Sequence, residues 1–328
     1  MPFLQVRNLV KHFPVRGGVL NRTVAAVQAV SNVSFDLNKG VTLGVIGESG
    51  CGKSTLGKTI IGLHPPTSGT VSFDGVEITS FSHREMMPIR RRMQFVFQDP
   101  YSSLNPRMTA GQMLREVIRF HNIVPAAERD AYIDELLKTV QLRPEVRNRY
   151  PHEFSGGQRQ RLNIARALAV KPEFIIADEP VSALDVSVQA QILNLLTDLR
   201  EQFGLTLMFI SHDLKVVEHF CDEMIVMYLG QIVEKLSCSD IHADAKHPYT
   251  QALLQSNPIN DPRDRSELYI LEGEVPSPRN PPVGCPFVTR CELAEDRCRT
   301  DRPKLVPVGD RHEAACWLVE GVEVPAAQ

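Results

Sequence analysis

No stretch of this chain is apolar for long enough to cross a bilayer as a helix. Its most apolar runs, TLMFI (206–210) and FIIA (174–177), are strand-sized, against the ~18 residues that a span needs. The opening MPFLQVRNLVKHF contains no apolar h-region, so no secretory signal is expected. A basic excess is also missing. The net charge is -3, which argues against nucleic acid as a partner. Seven cysteines in a chain expected to stay in the reducing cytosol do not make a disulfide framework. There is no internal repeat and no sustained heptad pattern. What remains is ordinary for a globular protein: 328 residues, 43% hydrophobic and 23% charged, enough for one large domain or two modest ones.

Apolar periodicity organises the chain. LQVRNL (4–9) and VSNVSFDL (30–37) alternate or nearly alternate and predict strands, with the Gly-containing PVRGGVLNRTVAAV (14–27) as a loop between them. TLGVIG (42–47) is a short, nearly continuous apolar run, the pattern of a buried strand. In VSFDGVEI the pair Asp74-Gly75 between alternating runs predicts a hairpin. RDAYIDELLKTVQL places Tyr132, Leu136 and Val140, and Ile133 and Leu137, at helical spacing. EFIIADEP and LTLMFISHD read as further buried strands with polar ends. Strands alternating with helices predict the α/β class with a largely parallel sheet. Seven prolines between 258 and 286 interrupt any regular element, so a boundary falls near 256, followed by an irregular extension.

GESGCGKST fits G-x-x-x-x-G-K-[ST] with Gly47, Gly52, Lys53 and Ser54 at the defining positions and Glu48, Ser49, Gly50, Cys51 and Thr55 completing the loop. Glycines let backbone N–H groups turn onto phosphate oxygens. Lys53 reaches the β- and γ-phosphates of a nucleotide such as ATP, and Ser54 binds Mg²⁺. TLGKTIIGL then forms the following helix, whose N-terminus favours an anion. A Gly-rich turn with an incidental lysine is the bland alternative, and the flanking strand and helix disfavour it. In FIIADE, Asp178 emerges at a strand end and is expected to hold Mg²⁺, and Glu179 to polarise a water. Alone, such a pair is usually a solvated strand end. His212 follows another apolar strand, where a lone His is more often structural. Beside a phosphate site it is read as a γ-phosphate contact.

FSGGQRQR (154–161) is not required by a generic nucleotide fold. Its Ser155, Gly156, Gly157 and Gln158 closely resemble the signature of ABC-transporter ATPases, and further matches follow over nearly 255 residues. The resemblance implies that Phe13 stacks on adenine and that Gln98 in VFQDP senses the γ-phosphate, joins Ser54 and Asp178 at Mg²⁺ and touches a membrane subunit. It makes Ser182–Asp185, and Asp185 in particular, a loop that crosses a dimer interface, and His212 a switch histidine. The catalytic set is then Glu179, His212 and Gln98. Ser155 and Gly157 would face a nucleotide held by a second subunit, so that two ATPs lie between two ATPase domains. Two departures, Phe154 in place of Leu and Phe13 in place of Tyr, leave the activity expected.

QDPYSSLNPR (98–107), ADEPVSALDVSVQAQILNLL, HPYTQALL (247–254) and GEVPSPRNPPVGCPF are similar to the dipeptide and oligopeptide importer ATPases, most of all the dipeptide type. The implied architecture is a P-loop ABC ATPase domain over 1–256, a RecA-like core with a helical subdomain about 104–170, and a C-terminal domain over 257–328. Implied partners are a homologous second ATPase subunit in a heterodimer, two polytopic permease subunits and an extracytoplasmic substrate-binding protein. The implied location is peripheral, on the cytoplasmic face of the inner membrane. Nickel importers belong to the same subgroup, so nickel is the alternative cargo. A soluble, non-transport ABC ATPase is the rival of a different class.

Four cysteines, Cys285, Cys291, Cys298 and Cys316, remain near the C-terminus, while Cys51, Cys221 and Cys238 are scattered. They could be small buried hydrophobes, yet the first three lie among Pro, Arg, Glu and Asp. Structural zinc sites commonly use C-x2–4-C pairs, which are absent here. The wider spacings suit a cubane cluster held at its corners. The C-terminal domain of the peptide-importer ATPases, which this stretch resembles, carries a [4Fe–4S] cluster in some members. Iron–sulfur is therefore preferred, with Zn²⁺ as the alternative and a structural staple as the role.

Overall fold

The computed structural model describes residues 1–17, 22–256 and 271–319. The predicted boundary after residue 256 abuts residues 257–270, which lie outside the described residues, as do Pro258 and Pro262. The chain divides into two compact units. The first comprises Met1–Leu37, Thr42–Thr79 and Ser211–Gln328, and the second Asn38–Val41 and Ser80–Ile210. No helix among the described residues is long and apolar enough to cross a membrane.

In the first unit, the strands Leu4–Gly17 and Arg22–Leu37 pair antiparallel over almost their whole length. This corrects the expected loop at 14–27. Both arms of that segment are strand, apart from residues 18–21, which lie outside the described residues. The pairing shifts register between Val6 and Leu9, between Leu9 and Lys11, between Lys11 and His12, and between Val15 and Arg16. Each shift breaks the period of two on which the apolar pattern depends, so the strand is visible as alternation over residues 4–9 but not in its continuation to Gly17. Ser68–Phe73 and Val76–Glu77 extend this sheet through the predicted hairpin. Asp74 and Gly75 both take positive φ (52° and 78°), as a two-residue type I′ turn requires.

The same unit holds the buried strand Thr42–Ile46, parallel to Glu223–Tyr228. Gln231–Ser237 turns back antiparallel to the latter. The C-terminal extension then adds the short strands His312–Ala314 and Val306–Gly309. The extension is thus irregular only in part, and it does not depend on a core of its own. Phe287 is 1% exposed and packs against Tyr228 and Tyr249, both fully buried, with ring centroids 5.3 Å away in each case. Buried Glu234 ties the region further. It accepts from the N–H of Lys246 at 2.6 Å, the N–H of His247 at 3.2 Å and His312 Nε2 at 2.7 Å. Three donors offset the desolvation of a buried carboxylate.

The second unit carries three parallel strands, Met93–Val96, Phe174–Asp178 and Thr206–Ile210, in that order across the sheet. Gly40 and Val41 join it by hydrogen bonds to Thr206 Oγ1 and from the N–H of Leu207. Its helices include Ala110–Phe120, Arg129–Thr139, Gly156–Leu168 and Val186–Phe203. Arg129–Thr139 buries Ile133, Leu136 and Leu137, as its spacing predicts. Gly156–Leu168 is buried on most of its surface. Its arginines are satisfied internally, Arg159 by the Pro151 carbonyl at 2.6 Å and Arg161 by the Val140 carbonyl at 3.1 Å.

Phe287→Ala should cost about 3–5 kcal/mol in chemical denaturation. Limited proteolysis should cut the C-terminal region earlier. The exposed Val283 serves as control, and Val283→Ala should change neither readout.

Candidate functional site

The first unit builds the phosphate loop. The strand Thr42–Ile46 is buried at every residue and delivers the chain at Gly47, and the helix Lys53–Ile60 leaves the far side. Gly52 caps that helix at φ 109°, and a Cβ there would meet the Ala29 carbonyl oxygen at 2.0 Å. Only glycine tolerates both the backbone angle and that approach. Lys53 is 4% exposed. Its Nζ donates to the Gly47 carbonyl at 2.6 Å and the Glu48 carbonyl at 3.0 Å, so the loop curls around the ammonium. Ser49 and Gly50 form the exposed tip, and Ser54 and Thr55 are half-buried on the first turn of the helix. Cys51 is buried, its thiol raised by burial and partly lowered again by Lys53.

Two residues that the loop pattern did not mark hold Glu48. Its N–H donates to the Tyr249 hydroxyl at 2.9 Å, and its carboxylate receives both terminal nitrogens of Arg290. Phe13 is half-buried on the strand Leu4–Gly17, edge-on to His64 at 5.5 Å with Lys11 Nζ 4.8 Å from its ring. His212 is exposed. It stands one residue after Ser211, whose hydroxyl accepts from the N–H of Asp213, the N-cap of the helix Leu214–Phe220.

The second unit carries the other predicted residues. Asp178 ends the strand Phe174–Asp178 and is 1% exposed. Glu179 follows with φ 44°, an uncommon conformation for a non-glycine residue. It is held there by its N–H to the Ile210 carbonyl at 2.9 Å and by Ser182 Oγ donating to its carbonyl at 3.1 Å. Gln98 Nε2 donates to Glu179 Oε2 at 2.8 Å, so the structure brings these two residues together.

Ser155 is the N-cap of the helix Gly156–Leu168. It forms a capping box with Gln158, whose side chain accepts from the N–H of Ser155 at 3.1 Å. A Cβ on Gly157 would meet Val188 Cγ1 at 2.5 Å, so helix packing also demands this glycine. Gly156 is half-buried beside it. Asp185 is exposed at the head of the helix Val186–Phe203 and makes no side-chain cap. A cavity of about 760 Å³ in this unit, lined by Tyr132, Leu136, Leu168 and Phe203 among others, contains none of the predicted site residues.

In the C-terminal region, Cys285 and Cys298 are buried, and Cys291 and Cys316 are half-buried. The N–H of Cys285 donates to the Cys298 carbonyl at 2.8 Å, and a Cβ on Gly284 would meet that same carbonyl oxygen at 2.2 Å. The Cys285 thiol is pushed up to about 11, first by burial and further by Cys298, Cys316 and Cys291, against a hydrogen bond from the Phe287 backbone. Among the described residues, no three His, Cys, Asp or Glu side chains are arranged to hold one metal ion.

Residues 30–182 match the ABC transporter family, and residues 233–298 match the oligopeptide/dipeptide transporter C-terminal region. The oligopeptide transport ATP-binding protein AppF of Bacillus subtilis is 50% identical over 318 residues, covering 96% of this chain and 97% of its own. The probable peptide ABC transporter ATP-binding protein y4tS of Sinorhizobium fredii is 53% identical over 325 residues, 99% of this chain and 91% of its own. Among solved structures, dimeric MJ0796, a bacterial ABC transporter cassette, matches with a TM-score of 0.64 at 31% identity. It covers 72% of this chain and 98% of that one. MJ0796 bound to ADP and Pi, a post-hydrolysis state, matches with a TM-score of 0.63.

Proposed function

This chain belongs to the ABC-transporter ATP-binding proteins, and from that premise we propose that it is the ATP-hydrolysing subunit of a peptide importer. The observation that carries the reading is relatedness over the whole length, C-terminal region included, to proteins named for peptide and oligopeptide transport. ATP hydrolysis follows from the ABC family and from a phosphate loop with its lysine in place. We assign the residue roles by their chemistry. Lys53 and the N–H groups of the 47–55 loop bind the phosphates. Ser54, Gln98 and Asp178 are oxygen donors, the hard ligands that Mg²⁺ prefers. Glu179 polarises the attacking water and Gln98 orients its carboxylate. Phe13 offers a half-buried ring for the adenine, and His212 contacts the γ-phosphate.

The exposed Ser155 at a helix head has a structural use as a cap, yet its hydroxyl stays at the surface. With Gly157 and Asp185, it serves a nucleotide held by a second, homologous ATPase subunit. The dimeric form of the related cassette supports this reading. Two permease subunits and an extracytoplasmic binding protein complete the importer, with this chain peripheral on the cytoplasmic face of the inner membrane. The cargo is a dipeptide or an oligopeptide, with nickel as the alternative.

For the cysteines we propose an iron–sulfur cluster. Four cysteines make an all-sulfur donor set, the kind that a cubane cluster takes with one thiolate at each iron corner. The cluster would staple the C-terminal region.

Glu179→Gln should leave ATP binding intact and lower turnover by ~10²–10⁴-fold. Turnover close to wild type would remove Glu179 from the role of base. The cargo is tested by purifying the assembled importer with its binding protein and identifying the bound molecule by mass spectrometry. Peptides are expected, and bound nickel would replace the peptide reading. Anaerobic purification should yield a chain with iron, sulfide and visible absorption. Stoichiometric zinc without iron, or four freely alkylated thiols without metal, would reject the cluster.

A further inference from the structure

A carboxylate is an unexpected neighbour for a triphosphate. Glu48 stands directly after Gly47 in the phosphate loop, and its own carbonyl accepts from Lys53 Nζ at 3.0 Å. An uncompensated negative charge there would repel a polyanionic nucleotide across a short distance. The structure compensates it from far along the chain. Arg290 Nη1 donates to Glu48 Oε2 at 2.7 Å and Nη2 to Oε1 at 3.0 Å, a bidentate pair. The Arg290 side chain is 5% exposed and that of Glu48 27%. The guanidinium is fixed on its other edge by Nε donating to the Glu272 carbonyl at 3.3 Å. Tyr249 takes the Glu48 N–H at 2.9 Å. Both the backbone and the charge of Glu48 are therefore governed by residues of the C-terminal part of the same unit.

We propose that Arg290 is a positioning residue for nucleotide binding, which neutralises and orients Glu48 so that the phosphate loop accepts ATP. Nucleotide affinity then depends on the C-terminal region being folded onto the loop. This rests on the reading of the 47–55 loop as the ATP phosphate site. A tether that merely holds two segments together would use the same contacts, so the test must separate charge from attachment.

The test is a double-mutant cycle in the full chain, with ATP and ADP dissociation constants from fluorescence titration in Mg²⁺ and thermal unfolding measured alongside. Arg290→Gln should raise the ATP dissociation constant about tenfold, with a smaller rise for ADP and a gap that narrows at high salt. Adding Glu48→Gln to Arg290→Gln should restore ATP affinity to within about threefold of wild type, because the unpaired charge is gone. The proposal is overturned if Arg290→Gln binds ATP within about twofold of wild type. It is equally overturned if the double variant binds as weakly as the single one, which is the result for a plain tether. Should Arg290→Gln fail to fold, Arg290→Lys carries the test. It keeps the charge and loses the fork, so a weakening of about threefold is expected, and an unchanged constant overturns the proposal. Failure of the underlying reading looks different: Lys53→Ala would then bind ATP as well as wild type.

Discussion

A buried ammonium organises this protein. Lys53 is almost fully enclosed, and a charge removed from water must find partners or lose its proton. The Gly47 and Glu48 carbonyls supply them, and they can do so only because the chain reverses tightly between a buried strand and a helix. The surrounding requirements follow. The strand Thr42–Ile46 must be apolar at every residue to fix the start of the loop. Gly52 must lack a side chain because the Ala29 carbonyl occupies that space. Glu48 must be held, since its carbonyl is one of the two ligands of the ammonium.

The C-terminal region is the other half of that arrangement. It adds two strands to the first unit, places Phe287 among Tyr228 and Tyr249, and covers the buried Glu234 with His312. HPYT thereby acquires a physical account. His247 caps the helix Pro248–Gln255 by accepting the Tyr249 N–H at its Nδ1, which aims the Tyr249 hydroxyl at the phosphate loop. A segment with many prolines docks Phe287 on aromatic rings that the preceding strand and helix present.

Much of the candidate site can be read from the sequence because its pattern is local. The loop glycines, Lys53, Asp178 and Glu179 lie at the ends of short apolar runs, and a buried strand writes its burial into every residue. The outer ends of the two paired strands were legible in LQVRNL and VSNVSFDL, but their continuation into the segment 14–27 was hidden, where the pairing shifts register between Lys11 and His12 and between Val15 and Arg16. The hydrogen bond from Gln98 to Glu179 joins two residues 81 positions apart, and the pair Arg290–Glu48 spans 242 positions. No periodicity encodes such contacts. A trace of the second was present nevertheless: an acidic residue inside an anion-binding loop requires a cation somewhere, and the sequence does not say which one.

The discontinuity of the first unit sets an order of events during synthesis. Its early segments emerge before residue 80, while the remainder begins at Ser211. The intervening run Ser80–Ile210 is nearly all of the second unit and is complete first. Glu48 leaves the ribosome 242 residues ahead of the guanidinium that neutralises it. At ~5–20 residues per second, that interval lasts on the order of tens of seconds. The nascent chain therefore displays the 47–55 loop with the Glu48 carboxylate still without its Arg290 partner, and that pair can close only after residue 290 has been made.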